Sequence, residues 1–280
     1  SGRSVSNAGD MNGDGFDDLI IGAPFADTNI YDSGSSYVVF GKASGFSATM
    51  DLSSLDGSNG FRLDGVSEDD FTGNSVSNAG DVNGDGFDDV IVGASFANLN
   101  GTDSGSSYVV FGKASSFGAT MDLSSLDGSN GFRLDGEVWF GEHSGFSVSS
   151  AGDMNGDGFD DLIVGAPYAV PNGIRSGSSY VVFGKASGFS ATMDLSSIDG
   201  KNGFRLDGVA AFDYLGFSVS SAGDMNGDGF DDLIVGAFRA DVNGENAGSS
   251  YIIFGRSDFG NDVDFPGTDG DDEFTGTQAA

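Results

Sequence analysis

The chain has no cysteine, one histidine, one tryptophan, 4 prolines and only 11 basic residues among its 280. Each shortage removes a class of explanation. Without cysteine there is no disulfide framework, and the thiol content says nothing of the redox compartment. With 43 acidic residues against those 11, the net charge is −32, which excludes ordinary nucleic-acid binding and disfavours adsorption to an anionic membrane. No apolar run approaches the length of a membrane-spanning helix, and no stretch carries a convincing helical period. Glutamate is sparse too: Glu68, Glu137, Glu142, Glu245 and Glu273. No Ser–His–Asp arrangement follows from the spacing of the single His143. A lyase or glycosidase reading would rest on the adjacent Glu142 and His143, and the expectation is that the chain is not an enzyme.

What the chain does have is 48 glycines and 25 phenylalanines, many turns with aromatic segments between them, which predicts an all-β protein. One stretch is conspicuous: Asp10-Met11-Asn12-Gly13-Asp14-Gly15-Phe16-Asp17-Asp18. It recurs at 81–89, 153–161 and 224–232, with Val82 in place of Met11 in the second copy. Oxygen-bearing side chains stand at loop positions 1, 3, 5 and 9, the ligand type that a hard cation such as calcium takes. Glycine at position 6 permits the sharp turn, and phenylalanine at position 7 has a carbonyl to offer. Clustered carboxylates of this kind repel one another unless a cation lies among them. An EF-hand needs glutamate at position 12; here Ile21, Val92, Val164 and Val235 stand there, opening a short β-branched strand instead.

The loops are spaced by 71, 72 and 71 residues, the mark of a repeat architecture. Each repeat reads as four strands. The first is predicted at 4–8, 75–79, 146–151 and 217–222. The second is at 18–23, 89–94, 161–166 and 232–237, and the third at 36–40, 107–111, 179–183 and 250–254. The fourth is at 60–63, 131–134 and 203–206, with 272–276 in register in the last repeat. The second strand is apolar on both faces, so both should be buried, and its glycine should let a neighbouring backbone approach. A helical turn is expected within 48–55. One four-stranded antiparallel meander per repeat predicts a β-propeller. The whole of 1–280 would be a single domain, with blades at about 1–65, 66–136, 137–208 and 209–280.

The chain resembles the FG-GAP repeat family, of the type found in the head propeller of integrin α subunits. The residues that carry the likeness are Leu215-Gly216-Phe217-Ser218-Val219, Asp224 through Asp232, Gly165-Ala166-Pro167 and Gly177-Ser178-Ser179-Tyr180-Val181-Val182-Phe183-Gly184. The resemblance implies that each loop joins the first two strands of a blade and binds calcium, four ions per chain. Carried over, the first site comprises Asp10, Asn12, Asp14, the Phe16 carbonyl and Asp18, with Asp17 capping or facing solvent. The second comprises Asp81, Asn83, Asp85, Phe87 and Asp89. The third comprises Asp153, Asn155, Asp157, Phe159 and Asp161, and the fourth Asp224, Asn226, Asp228, Phe230 and Asp232. Gly-Ala-Pro departs to Gly-Ala-Ser at 93–95 and to Gly-Ala-Phe at 236–238. Integrin-type rings have seven blades, so four repeats leave three readings open: a ring of four, half of a dimeric ring, or part of a longer chain. The tail 267–274 weakly resembles the start of an RTX calcium repeat. Together the two resemblances imply a secreted or cell-surface setting.

In a meander the metal loops and the 41–59, 112–130 and 184–202 connections share one end of the sheets. The connections that differ most in sequence share the other, at 25–33, 96–104, 168–176 and 238–247, together with 66–72, 137–144 and 209–215. Recognition usually sits on variable loops of a rigid scaffold, so the ligand is expected there. Trp139, His143, Tyr168, Arg175, Tyr214 and Arg239 are the candidate contacts, with Phe71, Phe140 and Tyr214 also placed to plug the junctions between blades. The expected function is recognition or adhesion, toward a protein or a polysaccharide. The alternatives are a structural spacer of a large adhesin and an accessory domain of a polysaccharide-degrading enzyme.

Overall fold

The structure is a computed structural model that describes residues 1–27, 30–137, 141–186, 188–242 and 244–259, and the backbone of 264–266. The first repeat supplies β1 (Val5–Gly9), β2 (Asp18–Ala23), β3 (Ser35–Val39) and β4 (Gly60–Asp64). The second supplies β5 (Ser75–Gly80), β6 (Asp89–Ala94), β7 (Ser106–Val110), β8 (Thr120–Asp122) and β9 (Gly131–Asp135). The third supplies β10 (Ser147–Gly152), β11 (Asp161–Ala166), β12 (Ser178–Val182), β13 (Thr192–Asp194) and β14 (Gly203–Asp207). The fourth begins with β15 (Leu215–Gly223), β16 (Asp232–Ala237) and β17 (Ser249–Ile253), and β18 (Asp264–Pro266) follows. Within a repeat β1-β2-β3-β4, β5-β6-β7-β9 and β10-β11-β12-β14 pair antiparallel in that order, as do β15-β16-β17, as the alternation and the intervening glycine turns predict. The second strands begin and end where the sequence places them, and the others shift by a residue or two. The helical turn within 48–55 is a single 3-10 turn at Leu52–Ser54, capped by Asp51.

The sheets do not stop at four strands. β8, from the third-to-fourth connection of the second repeat, reaches back and pairs parallel with β4 of the first. β13 does the same to β9, and β18 to β14. The first three sheets therefore have five strands, in the order β1-β2-β3-β4-β8 and its counterparts, and the last has β15-β16-β17 among the described residues. The expected fourth strand at 272–276 lies outside the described residues, as does the RTX-like tail. A phenylalanine travels with each returning strand: Phe117 stacks on Phe61 at 4.4 Å and 4°, Phe189 on Phe132 and Phe259 on Phe204.

The core lies between successive sheets. Met11, Ile20, Val38 and Phe61 of the first meet Val90, Val92, Tyr108 and Val110 of the second, and the same positions recur at the next two junctions. Close approach rests on the strand-two glycines. A Cβ at Gly22, Gly93 or Gly165 would collide with the carbonyl of Gly73, Gly145 or Gly216 in the following repeat. The expectation that strand two is buried on both faces holds for β6 and β11. It fails on one face each of β2 and β16, where Leu19 is 53% and Ile234 36% exposed, because no described sheet packs on those sides.

Candidate functional site

The acidic loops join β1 to β2, β5 to β6, β10 to β11 and β15 to β16, all at one end of the sheets. Within the first, the oxygens turn inward. Asp14 N–H donates to Asp10 Oδ1 at 3.0 Å and to Asn12 Oδ1 at 2.9 Å. Gly15 N–H donates to Asp10 Oδ2, and Phe16 N–H to Asp14 Oδ1. Asp18 is fully buried; its two oxygens accept from Met11 N–H at 3.1 Å and Gly41 N–H at 2.8 Å, tying the loop to the end of strand three. The same bonds recur in the other three loops. Burial pushes the Asp18 carboxyl up to about 6, with repulsion from Asp14 and Asp10 adding to it. Burial pushes Asp89 and Asp161 to about 8 in the same way.

Among the described residues, no three histidine, cysteine, aspartate or glutamate side chains are gathered into a metal centre. The donor set nonetheless fits a hard divalent cation in type: carboxylate, amide and peptide oxygens, without nitrogen or sulfur. Each carboxylate oxygen that accepts one amide hydrogen keeps a further lone pair for a cation.

Asp17 has a role in its counterparts that sequence reading assigns only as capping or solvent-facing. Asp88, Asp160 and Asp231 each reach across the junction to the loop of the preceding repeat, accepting from Asp10, Asp81 and Asp153 N–H at 2.7, 2.8 and 2.9 Å. The target lies 78 or 79 residues away, so no local pattern signals it.

At the opposite end the second-to-third connections and the junctions between repeats are zipped together. Phe71 N–H donates to Asp32 O, His143 N–H to Asp103 O and Tyr214 N–H to Arg175 O. All six of these residues have positive φ, between 43° and 57°. For residues other than glycine that conformation costs roughly 1 kcal/mol or more each, and the paired backbone hydrogen bonds offset it. Aspartate tolerates it best; Arg175, at the corresponding place in the third repeat, does not share that tolerance, yet it is held by a hydrogen bond from Nη1 to the Tyr214 hydroxyl at 3.2 Å.

The zipper aligns a continuous row of rings. Phe25 meets Phe71 (5.4 Å between centroids), Phe71 meets Phe96 (5.1 Å), and Phe96 meets His143 (4.5 Å). His143 then meets Tyr168 (4.8 Å), and Tyr168 meets Tyr214 (5.5 Å). Arg239 ends the row, its guanidinium over Tyr214 and Phe238, while Arg175 lies over Tyr168. The structure thus brings together His143, Tyr168, Arg175, Tyr214 and Arg239. Trp139 and Phe140 lie outside the described residues. Tyr214 is only 6% exposed, so most of its ring serves packing; Phe25, at 69%, is the open end of the row and was absent from the sequence-derived candidates. His143 Nδ1–H donates to Ser95 O, 3.0 Å away, and burial lowers its pKa from the usual value. Glu142, next to His143 in the chain, is buried, and its Oε2 has no hydrogen-bond partner among the described residues.

Comparison with known proteins agrees with the division into four repeats. The FG-GAP repeat model matches residues 1–39, 72–110, 144–182 and 215–253, which are the acidic loop and first three strands of each repeat. Integrin alpha pat-2 of Caenorhabditis elegans is 32% identical over 246 residues, 83% of this chain and 17% of the relative. Integrin alpha-V of Gallus gallus is 29% identical over 244 residues, 86% of this chain and 20% of the relative. Integrin alpha-PS5 of Drosophila melanogaster is 35% identical over 169 residues, 59% of this chain and 15% of the relative. The chain spans a fifth or less of the length of these relatives.

Proposed function

The chain belongs to the FG-GAP repeat family, and from that premise we propose that it is a calcium-stabilised, non-catalytic recognition module of a secreted or cell-surface protein. Its four repeats act as blades of a β-propeller, within the single domain 1–280. Asp10, Asn12, Asp14, the Phe16 carbonyl and Asp18, with their counterparts in the other loops, would hold one calcium ion per blade. A bound ion supplies positive charge where the carboxylates crowd, and so fixes the hairpin between the first two strands. The chain's own part is to present those oxygens on a turn already shaped by its amide hydrogen bonds.

The ligand, a protein or a polysaccharide, is engaged at the other end. The observation that carries this reading is the row from Phe25 to Arg239, an aromatic strip with two exposed guanidiniums on a chain otherwise dominated by acid. Aromatic rings and arginine give large contact areas at small entropic cost, which is why they dominate binding hot spots. His143, Tyr168, Arg175, Arg239 and, from the sequence, Trp139 are the contacts proposed.

The test is binding to arrays of matrix proteins and polysaccharides in calcium-containing buffer. Arg175→Ala and Tyr168→Ala should each weaken a captured ligand about tenfold, near 1.4 kcal/mol. Ligand retained equally by both variants would refute this face; no ligand at all would favour the structural spacer.

A further inference from the structure

Three loops are braced by the repeat that follows them, and among the described residues nothing braces the fourth. Asp10 is joined twice to Asp88: its N–H donates to Asp88 Oδ2 at 2.7 Å, and its carbonyl accepts from Asp88 N–H at 3.4 Å. Met11 O accepts from Lys113 N–H at 2.8 Å. The Asp88 carboxyl occupies the space a Cβ on Gly9 would need, and the Phe87 ring the space a Cβ on Gly13 would need. Asp160 with Phe159, and Asp231 with Phe230, repeat the arrangement on the second and third loops. In the fourth loop a Cβ at Gly223 or Gly227 would meet nothing, and Met225 is 60% exposed where Met11, Val82 and Met154 are fully buried.

We propose that Asp88, Asp160 and Asp231 are positioning residues for the cation site of the repeat before their own. This rests on the calcium reading above. Each fixes the backbone at the first residue of the preceding loop, from which the Asp10, Asp81 or Asp153 carboxylate springs. Groups that orient first ligands without touching the ion are typically worth 10- to 100-fold in metal affinity. Two consequences follow. Removing the brace weakens the neighbouring loop and spares the loop that contains the substituted residue. The Asp224–Asp232 loop, which no described residue braces, fills last in the 280-residue chain.

The experiment is a calcium chloride titration of the 280-residue chain followed by the amide resonances of Gly15, Gly86, Gly158 and Gly229, one reporter per loop. In the wild type, Gly229 should saturate at a calcium concentration about tenfold above the other three. Asp88→Ala should shift the midpoint for Gly15 about tenfold and that for Gly86 less than twofold. Asp88→Asn keeps an acceptor for Asp10 N–H and should restore most of the Gly15 affinity, which neither a folding defect nor loss of charge would produce. Asp17→Ala, which makes no such bond to another of the four loops, should leave all four midpoints in place. A shift of Gly86 alone, or of neither reporter, in Asp88→Ala would overturn the inference while leaving calcium binding intact. No saturable shift at any loop of the wild type would overturn the calcium reading and this inference together.

Discussion

Glu142 shows how much a single residue can set against the fold. It lies where Asp70 and Asp213 lie in the neighbouring repeats, and all three are buried acids. Asp70 and Asp213 each accept a backbone N–H, from Ser67 and Ala210. Burial, and then the charge of Glu137, push the Glu142 carboxyl up to about 7, against the opposing pull of the Glu137 N–H and Arg205. Unfolded, the group titrates near its ordinary value of 4.5. Between those two values the folded state holds a proton that the unfolded state has released. Stability therefore falls as pH rises through that window and stays lowered above it. The pKa gap sets a ceiling of about 3 kcal/mol. Glu142→Gln should thus be more stable than the wild type at pH 8 and about equal to it at pH 5, measured by urea unfolding at both. Equal effects at the two pH values would mean the carboxyl is not desolvated. Sequence alone marks Glu142 only as the neighbour of His143; the groups that face it, Arg205, Asp207 and Tyr180, come from strands of the third repeat more than 35 residues away.

At the scale of elements, the first three strands are legible because each carries its own signal: the acidic turn, the Leu-Ile-Ile run, the Ser-Tyr-Val-Val alternation. The returning strand β8 is not, because Thr-Met-Asp between glycine- and serine-rich turns has no strand pattern of its own and gains its partner only when β4 lies beside it. A trace was present in the near-identity of 41–59 and 112–130, more than a surface connection needs. Phe46 and Phe117 occupy the same place in that segment, yet they are 60% and 7% exposed, since no described sheet lies before Phe46 for it to cover. Phe117→Ala should cost about 3 kcal/mol or more through the lost stack on Phe61, and Phe46→Ala less than about 0.5 kcal/mol. Thermal unfolding of the two variants checks this; similar losses would mean that the returning segment does not seal the junction. The strand-two glycines give a parallel contrast. Gly93→Ala forces a methyl into the Gly145 backbone, for about 1–3 kcal/mol of overpacking, while Gly236→Ala meets only the mobile Ser218 hydroxyl nearby and should be mild.

At the scale of the molecule, two features act on all repeats together. The first is charge: −32 overall, with four carboxylates in each acidic loop. Calcium that binds only the folded chain stabilises it by about 2.7 kcal/mol per site at a hundredfold excess over Kd. The melting temperature should therefore stand several degrees higher in millimolar calcium than in excess chelator, and an unchanged value would remove the cation from the account. The second is the pair of open faces. Val5 and Leu19 are 67% and 53% exposed on the first sheet, where Val76 and Val90 are buried on the second. On the last sheet Met225 and Ile234 stand open where Met154 and Ile163 are buried. One is the leading half and the other the trailing half of a junction the chain builds three times over. Burying such surface is worth roughly 25 cal/mol per Å², and its geometry is already matched by the three internal copies. The 280-residue chain should therefore associate head to tail as its concentration rises, seen as an increasing sedimentation coefficient. Leu19→Asp places a charge in that junction and should hold the chain monomeric with little change in melting temperature, because Leu19 contributes to no internal core. A wild type that stays monomeric across the same range would rule out association through these faces.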